Sequence, residues 1–100
     1  MKIFQSRSFE KTVKKLPATA KTVLDDQIRK IAENPDCGEE KKGDLRGVFV
    51  HKFKINAAQY LLAYRKTAEI LELIMLGPHE NYYRDLKGYL KTRSGDKGDP

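Results

Sequence analysis

The segment VFVHKFKINAAQYLLAYRKTAEILELIMLG, residues 48–77, decides the fold that this sequence predicts. In residues 48–56, apolar and polar side chains alternate with a period of two, which is typical of a β-strand with one buried face. Residues 59–66 and 69–77 read as two further strands, and the last is so apolar that we expect a central strand covered on both faces. Only two residues separate each strand from the next, so the segment predicts a three-stranded antiparallel meander.

Two amphipathic helices are predicted before the meander, because apolar residues recur there at helical spacing. The first stripe consists of Phe9, Val13 and Leu16, and the second of Ala20, Leu24, Ile28 and Ile31. Ser8 can cap the first helix, Pro17 is well placed in the first turn of the second, and Pro35 ends it. So short a join makes a helical hairpin, and residues 1–6 before it read as a short strand.

At 100 residues the chain is expected to form one domain. Its pattern predicts an α+β fold: an N-terminal strand and a helical hairpin packed on an antiparallel β-sheet, with a short C-terminal helix. Residues 34–47 are rich in Gly, Pro and charge and should form a loop, which Leu45 anchors to the core. We expect the domain to cover residues 1–91 and residues 92–100 to form a flexible tail.

The charge balance is basic, since 20 Lys and Arg residues against 14 Asp and Glu residues give a net charge of +6. The excess lies in the structured parts of the chain and not in the tail. A basic folded surface suits a polyanion or an acidic protein partner, but charge alone does not distinguish them.

The composition also predicts where the protein works and what it lacks. No apolar run approaches the roughly 20 residues of a membrane-spanning helix, and the N-terminal residues have no apolar core of signal-peptide length. We therefore expect a cytoplasmic protein that contacts no membrane, which fits the single, unpaired Cys37. With two histidines, one cysteine and no glycine-rich phosphate loop, we expect neither a metal nor another cofactor.

Lys52 and Lys54 are the first candidates for a functional site. Two residues apart on one strand, they leave the same face of the sheet about 7 Å apart, which suits adjacent phosphates of a nucleic acid. Lysines on an exposed sheet face also simply prevent aggregation. The residues that alternate with these lysines include Phe49 and Phe53, and their side chains should face the helical hairpin. His51 lies among them and is predicted to be a hydrogen-bonded histidine on the core side.

A second candidate is the stretch GPHENYYRD, residues 77–85, which contains one of the two histidines. If the helix begins at His79, then Tyr82 and Tyr83, three and four residues further on, share one side with it. A histidine can donate or accept a proton near neutral pH, and a tyrosine can stack on a base. Equally, the histidine could cap the helix and the tyrosines could pack in the core.

Four strings in this order carry a resemblance to a known family: SRSFEKTVKKLP, GDLRGVFVHKFKI, QYLLAYRK and LGPHENYYRDLK. Over residues 2–91 the chain resembles the RelE/ParE superfamily of toxins from bacterial type II toxin–antitoxin systems. This resemblance implies the α+β fold described above and a cognate antitoxin that wraps the toxin.

The superfamily contains two activities. RelE-type members enter the ribosomal A site and cut the mRNA there, whereas ParE-type members inhibit DNA gyrase and lack the nuclease residues. The resemblance favours the first activity, a ribosome-dependent mRNA endonuclease (mRNA interferase) whose partners are the ribosome and mRNA. Inhibition of DNA gyrase is the alternative.

For the nuclease, the resemblance also implies roles for individual residues. The implied catalytic residues are Lys52, Lys54, His79 and Tyr83, and the implied substrate-binding residues are Arg65, Arg84 and Tyr82. The paired lysines would act as base or phosphate clamp, the histidine as acid or base, and the aromatic ring after it would stack on the nucleotide. An arginine usual in the family is replaced by Leu61 here, and Arg65 could substitute for it.

Overall fold

The computed structural model describes the backbone of residues 2–98 and the side chains of residues 2–43 and 45–91. The helices are α1 (Arg7–Lys14), α2 (Ala18–Glu33) and α3 (Tyr82–Gly98), and the strands are β1 (Lys2–Gln5), β2 (Glu39–Glu40), β3 (Phe49–Ile55), β4 (Ala58–Lys66) and β5 (Ile70–Pro78). The predicted α+β class is confirmed. The side chains of residues 92–100, the expected tail, lie outside the described part, so the division of the chain at residue 91 stays a prediction.

The strands form one sheet in the order β1-β5-β4-β3-β2. The predicted meander is confirmed, because β3, β4 and β5 pair antiparallel, whereas β1 pairs with β5 in parallel. β5 is an inner strand, as its apolar sequence requires, but β4 and not β5 is the middle strand. The prediction of a plain loop over residues 34–47 is wrong in part: β2 pairs with β3, and a 3-10 turn covers Gly43–Leu45.

α1 and α2 cover one face of the sheet, which we call the hairpin face. The predicted stripes provide its core: Phe9, Ala20, Leu24 and Ile31 are buried against alternate residues of β3, β4 and β5. The predicted cap at Ser8 is wrong, since the N-cap of α1 is Ser6. The Ser6 hydroxyl accepts a hydrogen bond from the Phe9 N–H at 3.0 Å and donates one to the Ile74 carbonyl. Ser6 directly follows β1, so it turns the chain from strand into helix.

α3 packs on the other face, which we call the α3 face. Its buried residues there are Tyr82, Leu86 and Leu90, and they meet Val50, Leu61, Ala63 and Ile74 of the sheet. Leu45 is buried in the same cluster, so the predicted anchoring of its loop is confirmed. α3 covers only part of this face, and Lys52 and Lys54 remain exposed beside it.

Tyr64 joins the sheet to the loop that follows α2. Its ring is fully buried on the hairpin face, its hydroxyl donates to the Pro35 carbonyl at 2.7 Å, and it accepts from the Gly38 N–H at 2.9 Å. Burial raises the pKa of Tyr64 to about 12, so the phenol stays protonated and keeps its donor. Residue 38 must be glycine here, because a Cβ atom on Gly38 would lie 2.6 Å from the Tyr64 hydroxyl oxygen.

Replacing Tyr64 by phenylalanine is expected to lower the free energy of unfolding by about 1–3 kcal/mol. The substitution removes the two hydrogen bonds of the hydroxyl with the half-buried Pro35 carbonyl and Gly38 N–H, and each such bond contributes about 0.5–1.5 kcal/mol. Urea titration followed by circular dichroism measures this loss. Tyr60→Phe, on the same face of the same strand, is the matched control and is expected to cost less than about 0.5 kcal/mol. An equal loss in both variants would show that the loop contacts of Tyr64 are not the cause.

Candidate functional site

Lys52 and Lys54 stand on the α3 face of β3, in phase with buried Val50. In the pairing of β3 with β4, Lys52 lies opposite Leu61 and Lys54 lies opposite Gln59. Both lysines are exposed, so their ammonium groups are accessible to a ligand. The strand therefore presents two cations on the face that the hairpin does not cover.

His79 lies at the same end of the sheet as Lys54. It follows β5 directly, and its N–H donates to the Gln59 carbonyl at 3.3 Å. Gln59 is also the partner of Lys54, so the backbones of Lys54 and His79 are two strand spacings, about 10 Å, apart. Side chains as long as lysine and histidine can both reach a group bound between them.

The predicted start of the last helix is wrong, because α3 begins at Tyr82 and not at His79. Asn81 has a positive φ of 59°, and the His79 carbonyl accepts from the Tyr82 N–H at 3.2 Å, so residues 79–81 form a turn. The expectation that His79, Tyr82 and Tyr83 share one side of a helix therefore fails. What brings His79 to Lys54 is the pairing of the strands.

The two adjacent tyrosines have different environments. Tyr82 is buried on the α3 face, where its hydroxyl donates to the Met75 carbonyl at 2.6 Å and burial raises its pKa. Its ring lies against Gly77, where an added Cβ atom would stand 3.4 Å from the ring. Tyr83 is half-buried and meets Tyr82 edge to face, with ring centroids 5.6 Å apart. Tyr82 is thus a packing residue, and Tyr83 is the tyrosine with ring surface available at the site.

Two residues at the site were missed in the sequence, Glu39 and Lys41. The Lys41 ammonium lies 4.9 Å from the centroid of the Tyr83 ring and 2.8 Å from a Glu39 carboxylate oxygen. Glu39 stands opposite Val50 and so on the face of Lys52. The hydrogen bond and charge of Lys41, and to a smaller extent the charge of Lys52, lower the pKa of Glu39. A chain of contacts therefore runs from Glu39 through Lys41 to Tyr83, and Lys52 acts on Glu39 through its charge.

Of the two arginines named as substrate-binding residues, Arg65 lies apart from this cluster, whereas Arg84 directly follows Tyr83. Arg65 stands opposite Glu72, four residues from Leu61 and so about 13 Å further along β4. Leu61 itself is fully buried. Arg84 is exposed in the first turn of α3, with its Nε 3.8 Å from an Asp85 carboxylate oxygen. The structure therefore does not bring Arg65 to the place that Leu61 occupies.

His51 faces the hairpin, and the prediction of a hydrogen-bonded histidine on the core side is confirmed. Its Nε2 lies 2.7 Å from the Gln27 amide oxygen, its ring stacks on Phe53, and its Nδ1 lies 3.9 Å from the Cys37 sulfur. Burial, and then the charge of Lys30, lower the pKa of His51. His51 thus belongs to the hairpin face, opposite to the face of Lys52 and Lys54.

The lowered pKa of His51 predicts how stability depends on pH. The unfolded chain takes up the proton near pH 6.5, while the folded protein does so only at lower pH. The contribution of neutral His51 is therefore complete above pH 6.5 and is lost as the pH falls through the pKa of the folded state. Urea titrations at pH 7.5 and 5.5 are expected to show a smaller loss in His51→Gln than in wild type, and equal losses would contradict this.

Within the described residues, no three His, Cys, Asp or Glu side chains gather closely enough to hold a metal ion. None of the helices in that part of the chain combines the length and the apolar character that crossing a membrane requires.

The model of one protein family, the ParE-like toxin of type II bacterial toxin–antitoxin systems, matches residues 3–87. The chain belongs to this family. A search among curated proteins finds no significant match. The toxin is nonetheless similar to several solved structures, which agree with the fold described above.

One is a YoeB/ParE toxin from Agrobacterium tumefaciens, with 25% identity and a TM-score of 0.65, covering 79% of this chain and 99% of that one. A double mutant of the E. coli toxin RelE in the free state has 19% identity and a TM-score of 0.68, covering 92% and 95%. The intact E. coli RelBE toxin–antitoxin complex contains a chain with 21% identity and a TM-score of 0.63, covering 79% and 96%. The second and third of these likenesses show the fold alone.

Proposed function

We propose that this toxin is a ribosome-dependent mRNA endonuclease that blocks translation by cutting mRNA in the cytoplasm. The observation that carries the proposal is that Gln59 pairs with both Lys54 and His79. The backbones of these two residues are therefore about 10 Å apart, and Lys52 lies two residues from Lys54 on the same strand. Two cations and a titratable imidazole at one end of an accessible sheet face suit a phosphodiester.

The reaction class follows from these groups. A ribose 2′-hydroxyl attacks the adjacent phosphorus, a new oxygen–phosphorus bond forms, and the bond to the 5′-oxygen breaks. The hydroxyl loses a proton and the leaving oxygen gains one, which His79 can donate or accept. Lys52 and Lys54 stabilise the extra negative charge on the phosphate oxygens. Tyr83 holds the nucleotide by stacking, while buried Tyr82 has no contact with substrate in this proposal.

A cognate antitoxin is the proposed protein partner. Support comes from family membership and from the E. coli relative, which was solved in a toxin–antitoxin complex. The net charge of +6 favours an acidic antitoxin.

Inhibition of DNA gyrase is the second candidate. The observation that favours it is Leu61, which is fully buried where related nucleases have an arginine, while Arg65 lies about 13 Å further along the strand. In that case the lysines and His79 have no catalytic task, and they serve only as exposed surface.

The proposal is tested by primer extension on a reporter mRNA in a reconstituted translation system, with and without ribosomes. The nuclease produces new ends within A-site codons only when ribosomes are present. Intact mRNA beside a protein that arrests growth contradicts the proposal. Loss of gyrase supercoiling in a parallel assay with the same protein would then support the second candidate.

A further inference from the structure

Lys41 is the residue of the α3 face whose arrangement the proposed chemistry leaves unexplained. Its side chain is only 22% exposed, which is unusual for a lysine on a connecting segment. Its backbone is fixed too, because the Lys41 N–H donates to the Val48 carbonyl at 2.8 Å. Both ends of this side chain are therefore held.

The ammonium group of Lys41 contacts an anion and an aromatic ring at once. It forms an ion pair with Glu39 at 2.8 Å and lies 4.9 Å from the centroid of the Tyr83 ring. A cation this close to an aromatic ring is attracted to it, and the attraction grows as water is excluded. Glu39, and to a smaller extent Tyr83, raise the pKa of Lys41, so the group is charged at neutral pH.

The Tyr83 ring is consequently held from two sides. Tyr82 meets it edge to face, and Tyr82 is itself fixed by its buried ring and its bond to Met75. Lys41 supplies the second contact. It directly follows β2, which pairs with β3, the strand that contains Lys52. Without it, the ring of a half-buried tyrosine can turn about its side-chain bonds.

We propose that Lys41 is a positioning residue: anchored by Glu39, it fixes the orientation in which the Tyr83 ring meets the RNA nucleotide. This inference rests on the proposed nuclease function. Lys41 acts through Tyr83 and not on the reacting phosphate, so its loss should weaken substrate binding more than the chemical step.

The contact itself is tested without any activity, by NMR of the full chain. Protons on the Cε of a lysine above an aromatic ring are shifted upfield by the ring current. We expect this shift for Lys41 in wild type and its disappearance in Tyr83→Leu. A Lys41 Cε signal at the same position in both proteins would overturn the proposal.

The role is tested by the kinetics of ribosome-dependent cleavage. We expect Lys41→Met to raise KM about tenfold with kcat changed less than about threefold, and Lys41→Arg to restore KM to within about threefold of wild type, because arginine keeps the charge over the ring. Lys42→Met, at the exposed neighbouring position, is the matched control and should behave as wild type. Thermal unfolding of all variants checks that the fold is intact.

A double-mutant cycle separates positioning from a simple loss of charge. If Lys41 acts through the ring, Lys41→Met should have almost no effect in the Tyr83→Leu background, whereas additive effects would overturn the proposal. A Lys41→Met variant that cleaves like wild type would overturn it too, and would leave the nuclease function standing. Intact mRNA with the wild-type toxin would instead overturn the nuclease function, and with it the task assigned to Lys41.

Discussion

Replacing His79 by alanine is expected to lower the rate of ribosome-dependent mRNA cleavage by about 100- to 10,000-fold, the range that a positioned proton-transfer group contributes. The fold should be unaffected, because His79 is exposed and its hydrogen bonds to Gln59 and Tyr82 use only main-chain atoms. Primer extension over a time course measures the rate, and thermal unfolding measures the stability. Substitution of Lys52 or Lys54 would not separate proton transfer from phosphate binding, whereas His79→Ala does.

The other histidine of the chain is the matched control. His51 lies on the hairpin face with Gln27, so His51→Gln should cleave within about threefold of wild type. Glu80→Ala, next to His79 in the same exposed turn, controls for changes in the turn itself. If His79→Ala still cleaves at the wild-type rate, His79 has no part in proton transfer, and the site must work through its cations alone.

Much of this fold could be predicted from local pattern. The meander follows from alternation and short connections, and the hairpin follows from two stripes at helical spacing. The parallel pairing of β1 with β5 could not be predicted in the same way, because it joins segments far apart in the sequence, Lys2 with Ile70, and leaves no periodic signal. The two-residue β2 was missed for a related reason: Glu39 and Glu40 contribute no apolar side chain to either face.

The candidate site shows the same division. Strand phase correctly separated Lys52 and Lys54 from His51, because a period of two assigns each residue to a face. The helical argument for His79 failed, since a turn with positive φ at Asn81 precedes the helix. Lys41 was hidden in a charged loop, and only the three-dimensional arrangement brings it to Tyr83, 42 positions later in the sequence.

Substitutions at the neighbouring residues Tyr82 and Tyr83 are expected to have different effects: those at Tyr82 lower the stability of the fold, and those at Tyr83 lower the rate of cleavage. Tyr82→Ala should lower the free energy of unfolding by about 3–5 kcal/mol, since it empties a buried aromatic site between β5 and α3. Tyr82→Phe keeps the ring but leaves the Met75 carbonyl without its donor, and should cost about 1–3 kcal/mol. For a domain of 100 residues, each kcal/mol lowers Tm by roughly 4–8 °C, so urea and thermal unfolding distinguish these losses.

Tyr83→Ala, on the same helix, is expected to affect cleavage more than stability. Its ring is half-buried, so the expected loss of stability is about 1 kcal/mol, whereas ribosome-dependent cleavage should fall at least tenfold because a stacked base is lost. Tyr82→Phe, in contrast, should cleave within about threefold of wild type at temperatures where it is folded. Equal losses of stability at both positions would show that the tyrosine pair anchors α3 as one unit. Normal cleavage by Tyr83→Ala would show that the Tyr83 ring has no part in the site, because the neighbouring Tyr82 ring is buried in the core and cannot replace it.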